Sequence, residues 1–124
     1  MMTMKLCDNV SVLLGKTIVS IENCNVDSEE VFINTSDNTR YVLLHTQDCC
    51  EYVRLADATG DVEDIIGYPL TMAEEVSQQE DSNWGTQTWT FYKFATIKGY
   101  VTLRWLGESN GYYSEKVDLM EILS

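Results

Sequence analysis

The stretch TQTWTFYKFATIKGYVTLRWLGESNGYYSEKVDL, residues 86–119, leaves little choice of backbone conformation. β-Branched and aromatic residues alternate with polar ones through it, the period-two pattern of a strand with one buried face. Two such runs meet at Lys98-Gly99, and a third follows Asn110-Gly111, a dipeptide favoured where a two-residue type I′ turn joins antiparallel strands. The pattern predicts a three-stranded meander. It also assigns faces. In YVTLRWLG, Arg104 shares a side with Tyr100 and Thr102, opposite Val101, Leu103 and Trp105; in WTFYKFAT, Lys93 shares one with Trp89 and Phe91, opposite Tyr92 and Phe94.

The rest of the chain reads in the same way. KTIVSIEN alternates as a half-buried strand, with Ile18, Ser20 and Glu22 on one face and Val19 and Ile21 on the other. EEVFINTSDNTRYVLLHTQ is a hairpin around the turn residues SDNT, and CEYVRLADA is a further strand. In TGDVEDIIGYP, Asp61 caps a short helix near 61–66 that stops at Gly67, with Pro69 beyond. LTMAEEVSQQ places Leu70, Met72 and Val76 at a period of two, which favours strand over helix. The expected fold is mainly β (α+β): an antiparallel twisted sheet or half-open barrel of about seven or eight strands with one short helix. At 124 residues the chain forms a single domain, 1–124.

Composition narrows the partners. Eight Lys plus Arg against 20 Asp plus Glu leave a formal charge of −12, which opposes general binding to nucleic acid or anionic membrane. The charge is uneven, however. From Ser82 to Gly107 the only charged residues are Lys93, Lys98 and Arg104, in company with Trp84, Trp89, Phe91, Tyr92, Phe94, Tyr100 and Trp105. The opening MMTMKLCDNVSVLLG has neither the charge pattern of a signal peptide nor the length of a membrane span, so a cytoplasmic protein is expected. In that compartment the cysteines at 7, 24, 49 and 50 are expected as free thiols, and a bond between the neighbours Cys49 and Cys50 is not expected because the ring would be strained.

HTQDCCE, residues 45–51, concentrates the one histidine, two thiols and two carboxylates. It has no second ligand pair at zinc spacing. Asp48 and Glu51 would hold a neighbouring thiol protonated rather than activate it for attack. It reads best as a shaped loop, with a cysteine filling the core and Asp48 bonding the loop's own backbone. GKT at 15–17 lacks the glycine spacing of a phosphate loop, and Asp61, Glu63 and Asp64 are the acidic first turn of a helix. No catalytic residue, metal or cofactor is therefore expected. Rings that stack on a base and cations that meet a phosphate make the meander the better candidate surface. Its residues Trp89, Lys93, Lys98, Tyr100 and Arg104 would be joined by Glu108, Ser109, Asn110, Tyr112 and Tyr113 of the tip GESNGYYSE, and by His45, Gln47 and Asp48 of the loop.

Two segments, HTQDCCEYVRLADATGDVEDIIGYPLTMAEE and TWTFYKFATIKGYVTLRWLGESNGYYSEKVD, resemble a small domain family of unknown function found in phages and bacterial genomes, including prophages. The likeness spans about Thr17 to Asp118, and His45, Asp48, Cys49, Cys50, Glu51, Arg104, Glu108, Asn110 and Gly111 fall in its signature segments. It implies a phage-type accessory protein in the host cytoplasm and names no reaction. Counter-defence enters by analogy with other short phage genes. Three functions follow as expectations. The first is capture of a small nucleotide-like signal, across a homodimer if the site needs two copies. The second is an acidic inhibitor that docks on a host or defence protein. The third is a metal- or thiol-dependent hydrolase using the HTQDCCE loop.

Overall fold

The computed structural model describes residues 3–123. Nine strands are described: β1 (Met4–Leu6), β2 (Ile18–Glu22), β3 (Glu30–Thr35), β4 (Arg40–Leu44), β5 (Tyr52–Thr59), β6 (Met72–Ser82), β7 (Gly85–Thr96), β8 (Gly99–Ser109) and β9 (Asp118–Ile122). They form two sheets, ordered β1-β9-β4-β3-β2 and β5-β8-β7-β6, with every pairing antiparallel. The mainly β, antiparallel class expected from the alternation is what the chain adopts, divided between two sheets and not closed into a barrel. The expected capped helix is a single 3₁₀ turn, Val62–Ile65, whose first turn is capped by the Asp61 side chain accepting from Glu63 N–H at 3.0 Å. A second 3₁₀ turn covers Val10–Leu13. No helix among the described residues is long and apolar enough to cross a membrane.

One core joins the two sheets. Val31, Ile33, Tyr41, Leu43 and Leu119 come from the first, and Val53, Leu55, Tyr92, Phe94, Val101, Leu103 and Trp105 from the second. The face assignments along β7 and β8 hold: Tyr92, Phe94, Val101, Leu103 and Trp105 are buried, while Lys93, Tyr100 and Arg104 lie on the other side. At full burial each large apolar side chain contributes roughly 1.5–3 kcal/mol, so this alternation is the main force that fixes register.

Two local expectations are corrected. Along β2 a bulge between Ile18 and Ser20 slips the alternation by one residue, so Ile18 and Ile21 both turn towards the core and Val19 faces solvent. The meander is also displaced by one strand. It consists of β6, β7 and β8, joined by the two-residue turns Asn83-Trp84 and Ile97-Lys98. Asn110-Gly111 does not make a hairpin. Only Gly111 of that pair has positive φ, +98°, whereas a type I′ turn requires it at both positions. The chain instead crosses to the other sheet, where β9 lies between β1 and β4, and Leu123 N–H bonds Thr3 C=O at 2.7 Å.

Candidate functional site

Residues 45–51 connect β4 to β5 across the two sheets, and Glu51 organises them. Its side chain is wholly buried and accepts from His45 Nε2 at 2.7 Å, from the N–H groups of Asp48 and Cys49 at 2.9 and 2.8 Å, and from Gln47 Nε2 at 3.2 Å. Gln47 also donates to the Glu51 carbonyl at 2.7 Å. The His45 bond, helped by the two main-chain donors, holds the Glu51 carboxyl down to about 2. His45 Nδ1 is 2.6 Å from the Lys116 carbonyl, so the loop is fastened to the segment before β9 as well. The backbone-bonding role expected of Asp48 therefore belongs to Glu51. Cys49 and Cys50 lie exposed at the loop's bend and do not fill the core. Their sulfurs are joined, 2.18 Å apart, against the expectation of free thiols: the bend held by Glu51 presents both side chains to one side. Cys7 and Cys24 are free, and burial raises both thiols above their ordinary value.

A second buried carboxylate shapes the other side of the site. Glu115 accepts from Thr86 Oγ1 at 2.6 Å and Thr88 Oγ1 at 2.7 Å on β7, and from Ser109 Oγ at the end of β8. This network draws residues 110–117 back over the sheet. Gly107 permits the approach, because a Cβ there would stand 2.8 Å from both the Cβ and the carbonyl oxygen of Glu115.

Between the two fastened loops lies a concavity of about 330 Å³ lined by Cys50, Tyr52, Ser82, Trp84, Glu108, Ser109, Asn110 and Tyr113. Three rings form its walls. The Asn83-Trp84 turn holds Trp84 out at 80% exposure, a position that packing in the core does not explain. Hydroxyl, amide and carboxylate groups of Ser82, Ser109, Asn110 and Glu108 supply polar contacts. Among the described residues no lysine or arginine lines the cup, but Arg54 borders it, donating to Glu108 at 2.7 Å with its guanidinium 4.4 Å from the Tyr52 ring centroid.

The residues singled out from the sequence do not gather at one place. Glu108, Ser109, Asn110 and Tyr113 line the cup, and Tyr112 is fully exposed on the adjoining loop. His45, Gln47 and Asp48 are engaged in building the loop, which contributes only Cys50 to the cup. Trp89 and Arg104 sit mid-sheet on the outer face. There the guanidinium stacks 4.8 Å from the Trp89 centroid and pairs with Asp57, Nε to Oδ1 at 3.1 Å, so its charge is already compensated. Lys93, Lys98 and Tyr100 line a shallow groove of about 560 Å³ at the far end. Lys98 and Asn110 flank opposite ends of β8, roughly 40 Å apart at strand rise, beyond the span of one mononucleotide. Sequence reasoning passed over Ser82, Trp84, Tyr52 and Cys50 as lining residues. SNWG carried the signal for one of them, since a tryptophan between turn residues cannot reach the core.

Both ring nitrogens of His45 are engaged, which leaves neither to take a proton from a thiol. Among the described residues no group of three or more His, Cys, Asp or Glu side chains is arranged to hold a metal ion. A family model described as a domain of unknown function, DUF7448, matches residues 11–119. No curated protein and no solved structure matches the chain.

Proposed function

The chain belongs to the DUF7448 family of unknown function, and from that premise we propose that it is a non-catalytic binding protein that captures a nucleotide-derived small molecule in the Trp84–Tyr52–Tyr113 cup. One observation carries the reading: three rings and four hydrogen-bonding side chains converge on a concavity of a size suited to one planar base. Stacking on such rings contributes about 1–3 kcal/mol per base. Glu108 and Asn110 offer acceptors and donors to its edge. Arg54 at the rim is the group an attached phosphate would recruit, in competition with Glu108. Lys93, Lys98 and Arg104 fall outside this version of the site. The likeness of the signature segments to phage and prophage proteins supports an accessory role in the cytoplasm of a bacterial host, where sequestering a nucleotide signal would blunt a defence response.

Thermal unfolding with a panel of nucleosides, nucleotides and cyclic nucleotides tests this. A ligand at a hundredfold excess over its Kd adds about 2.7 kcal/mol, a shift of several degrees in Tm. Trp84→Ala should abolish the shift and leave the unliganded Tm within a degree or so, because that ring is exposed. If no member of the panel moves the Tm, or Trp84→Ala responds like the parent, the cup is not a base site.

A further inference from the structure

Each sheet has two edges, and three of the four are blunted. β1 is three residues long. β2 is bulged, and its Ile18 carbonyl is taken by Gly67 N–H at 2.8 Å. β5 is bulged between Leu55 and Asp57, and Leu55 exchanges main-chain bonds of 2.8 Å with Asp27 and Ser28. Short length, bulges and covering loops are the usual means of stopping a sheet from recruiting another strand.

β6 is neither short nor bulged, although the 3₁₀ turn Val10–Leu13 packs against it. It runs 11 residues in unbroken register against β7, with no proline, lysine or arginine. Among the described residues no other segment makes a main-chain hydrogen bond to Met72–Ser82. Its side chains are exposed except for Ala73 and Ser82, and Val76 on the outer face is 49% exposed. On the inner side Glu75, Ser77 and Gln79 border an open groove of about 370 Å³ whose opposite wall is Tyr113–Val117. The strand carries Glu74, Glu75, Glu80 and Asp81. Pairing of two copies about its centre, Ser77, would set Glu74 of each copy against Glu80 of the other, like charges directly opposite. That pattern disfavours a second copy of this chain and favours a cationic strand.

We propose that the β6 edge is a docking strand for an extended, basic segment of a partner protein, which joins the four-stranded sheet as a fifth strand. Main-chain bonds along the edge supply affinity, alternate side chains enter the groove beside Ser77, and lysines or arginines opposite the four carboxylates set the choice of partner. The surface shares Ser82 and Tyr113 with the cup, but its main-chain edge from Met72 to Asp81 lies outside the cup's lining, so either can fail without the other.

A ten-residue peptide of alternating Lys and Val, its twin N-methylated at alternate residues, and a Glu/Val counterpart are to be titrated into the full chain, with hydrogen exchange as readout. The Lys/Val peptide should slow exchange of β6 amides and bind at least about tenfold more tightly than either control. Glu74→Lys with Asp81→Lys, which takes the strand from four negative charges to none net, should abolish the preference for the Lys/Val peptide over the Glu/Val one. Equal binding of the N-methylated twin would show attraction by charge alone and overturn the proposal. So would protection confined to other strands, or a β6-mediated dimer formed without peptide.

Discussion

At the scale of single residues, two buried carboxylates do most of the shaping. Glu51 and Glu115 each collect three or more donors, and a buried carboxylate is tolerated only when so satisfied. Glu51→Gln replaces an acceptor of four donors by a group that is itself half donor. Melting temperature should fall by roughly 5–10 °C. The dependence on pH has a definite sign. Glu51 is held at about 2 in the folded chain against an ordinary 4.5, so its contribution is complete above about pH 4.5 and disappears as pH falls through 2. The gap in Tm between parent and Glu51→Gln should therefore close over that interval, as differential scanning calorimetry would record; a gap independent of pH would contradict the assignment. HTQDCCE announced a special loop in the sequence, but Glu51 as its centre was not legible. The donors that identify it come from the loop's folded backbone and from a histidine six residues away.

Among elements, the β7–β8 hairpin was readable because both cues agree, period-two alternation and a two-residue turn between long runs. The strand after Asn110-Gly111 was misplaced because a turn dipeptide is local evidence. The Glu115 bonds to Thr86 and Thr88, which pull that segment away, span more than twenty residues of sequence. The slip in β2 has a similar origin, since a bulge leaves the composition of a strand unchanged while reversing its faces. Gly85 marks where hairpin and tip meet: a Cβ there would lie 2.0 Å from the Ser109 carbonyl oxygen and 2.7 Å from Asn110 Cα. Both are main-chain atoms with little freedom to yield. Gly85→Ala should cost about 2–3 kcal/mol in urea unfolding and deform the cup by displacing Ser109 and Asn110, whereas a loss under 0.5 kcal/mol would mean that the tip adapts freely.

For the whole molecule, the length of β7 and β8 within one sheet explains why the exposed aromatic and cationic residues between 82 and 107 looked like a single site in the sequence and are three in space. Alternation told which face each residue takes, and those assignments hold along β7 and β8. Position along an 11-residue strand, which separates Lys98 from Asn110, is a matter of length that pattern-reading does not weigh. The two sheets also differ in how far apart in the chain their partners lie. β6, β7 and β8 are successive and meet through two-residue turns, while β9 must settle between β1 and β4, partners contributed by distant parts of the sequence. Closing a long loop costs chain entropy before any contact rewards it. On refolding from urea, amides of β7 and β8 should thus gain protection in pulse labelling before those of β4 and β9, and the reverse order would show that β9 seeds the molecule. The half that assembles late includes the fastening of His45 to Lys116, so the Trp84–Tyr52–Tyr113 cup would be the last part of the protein to acquire its shape.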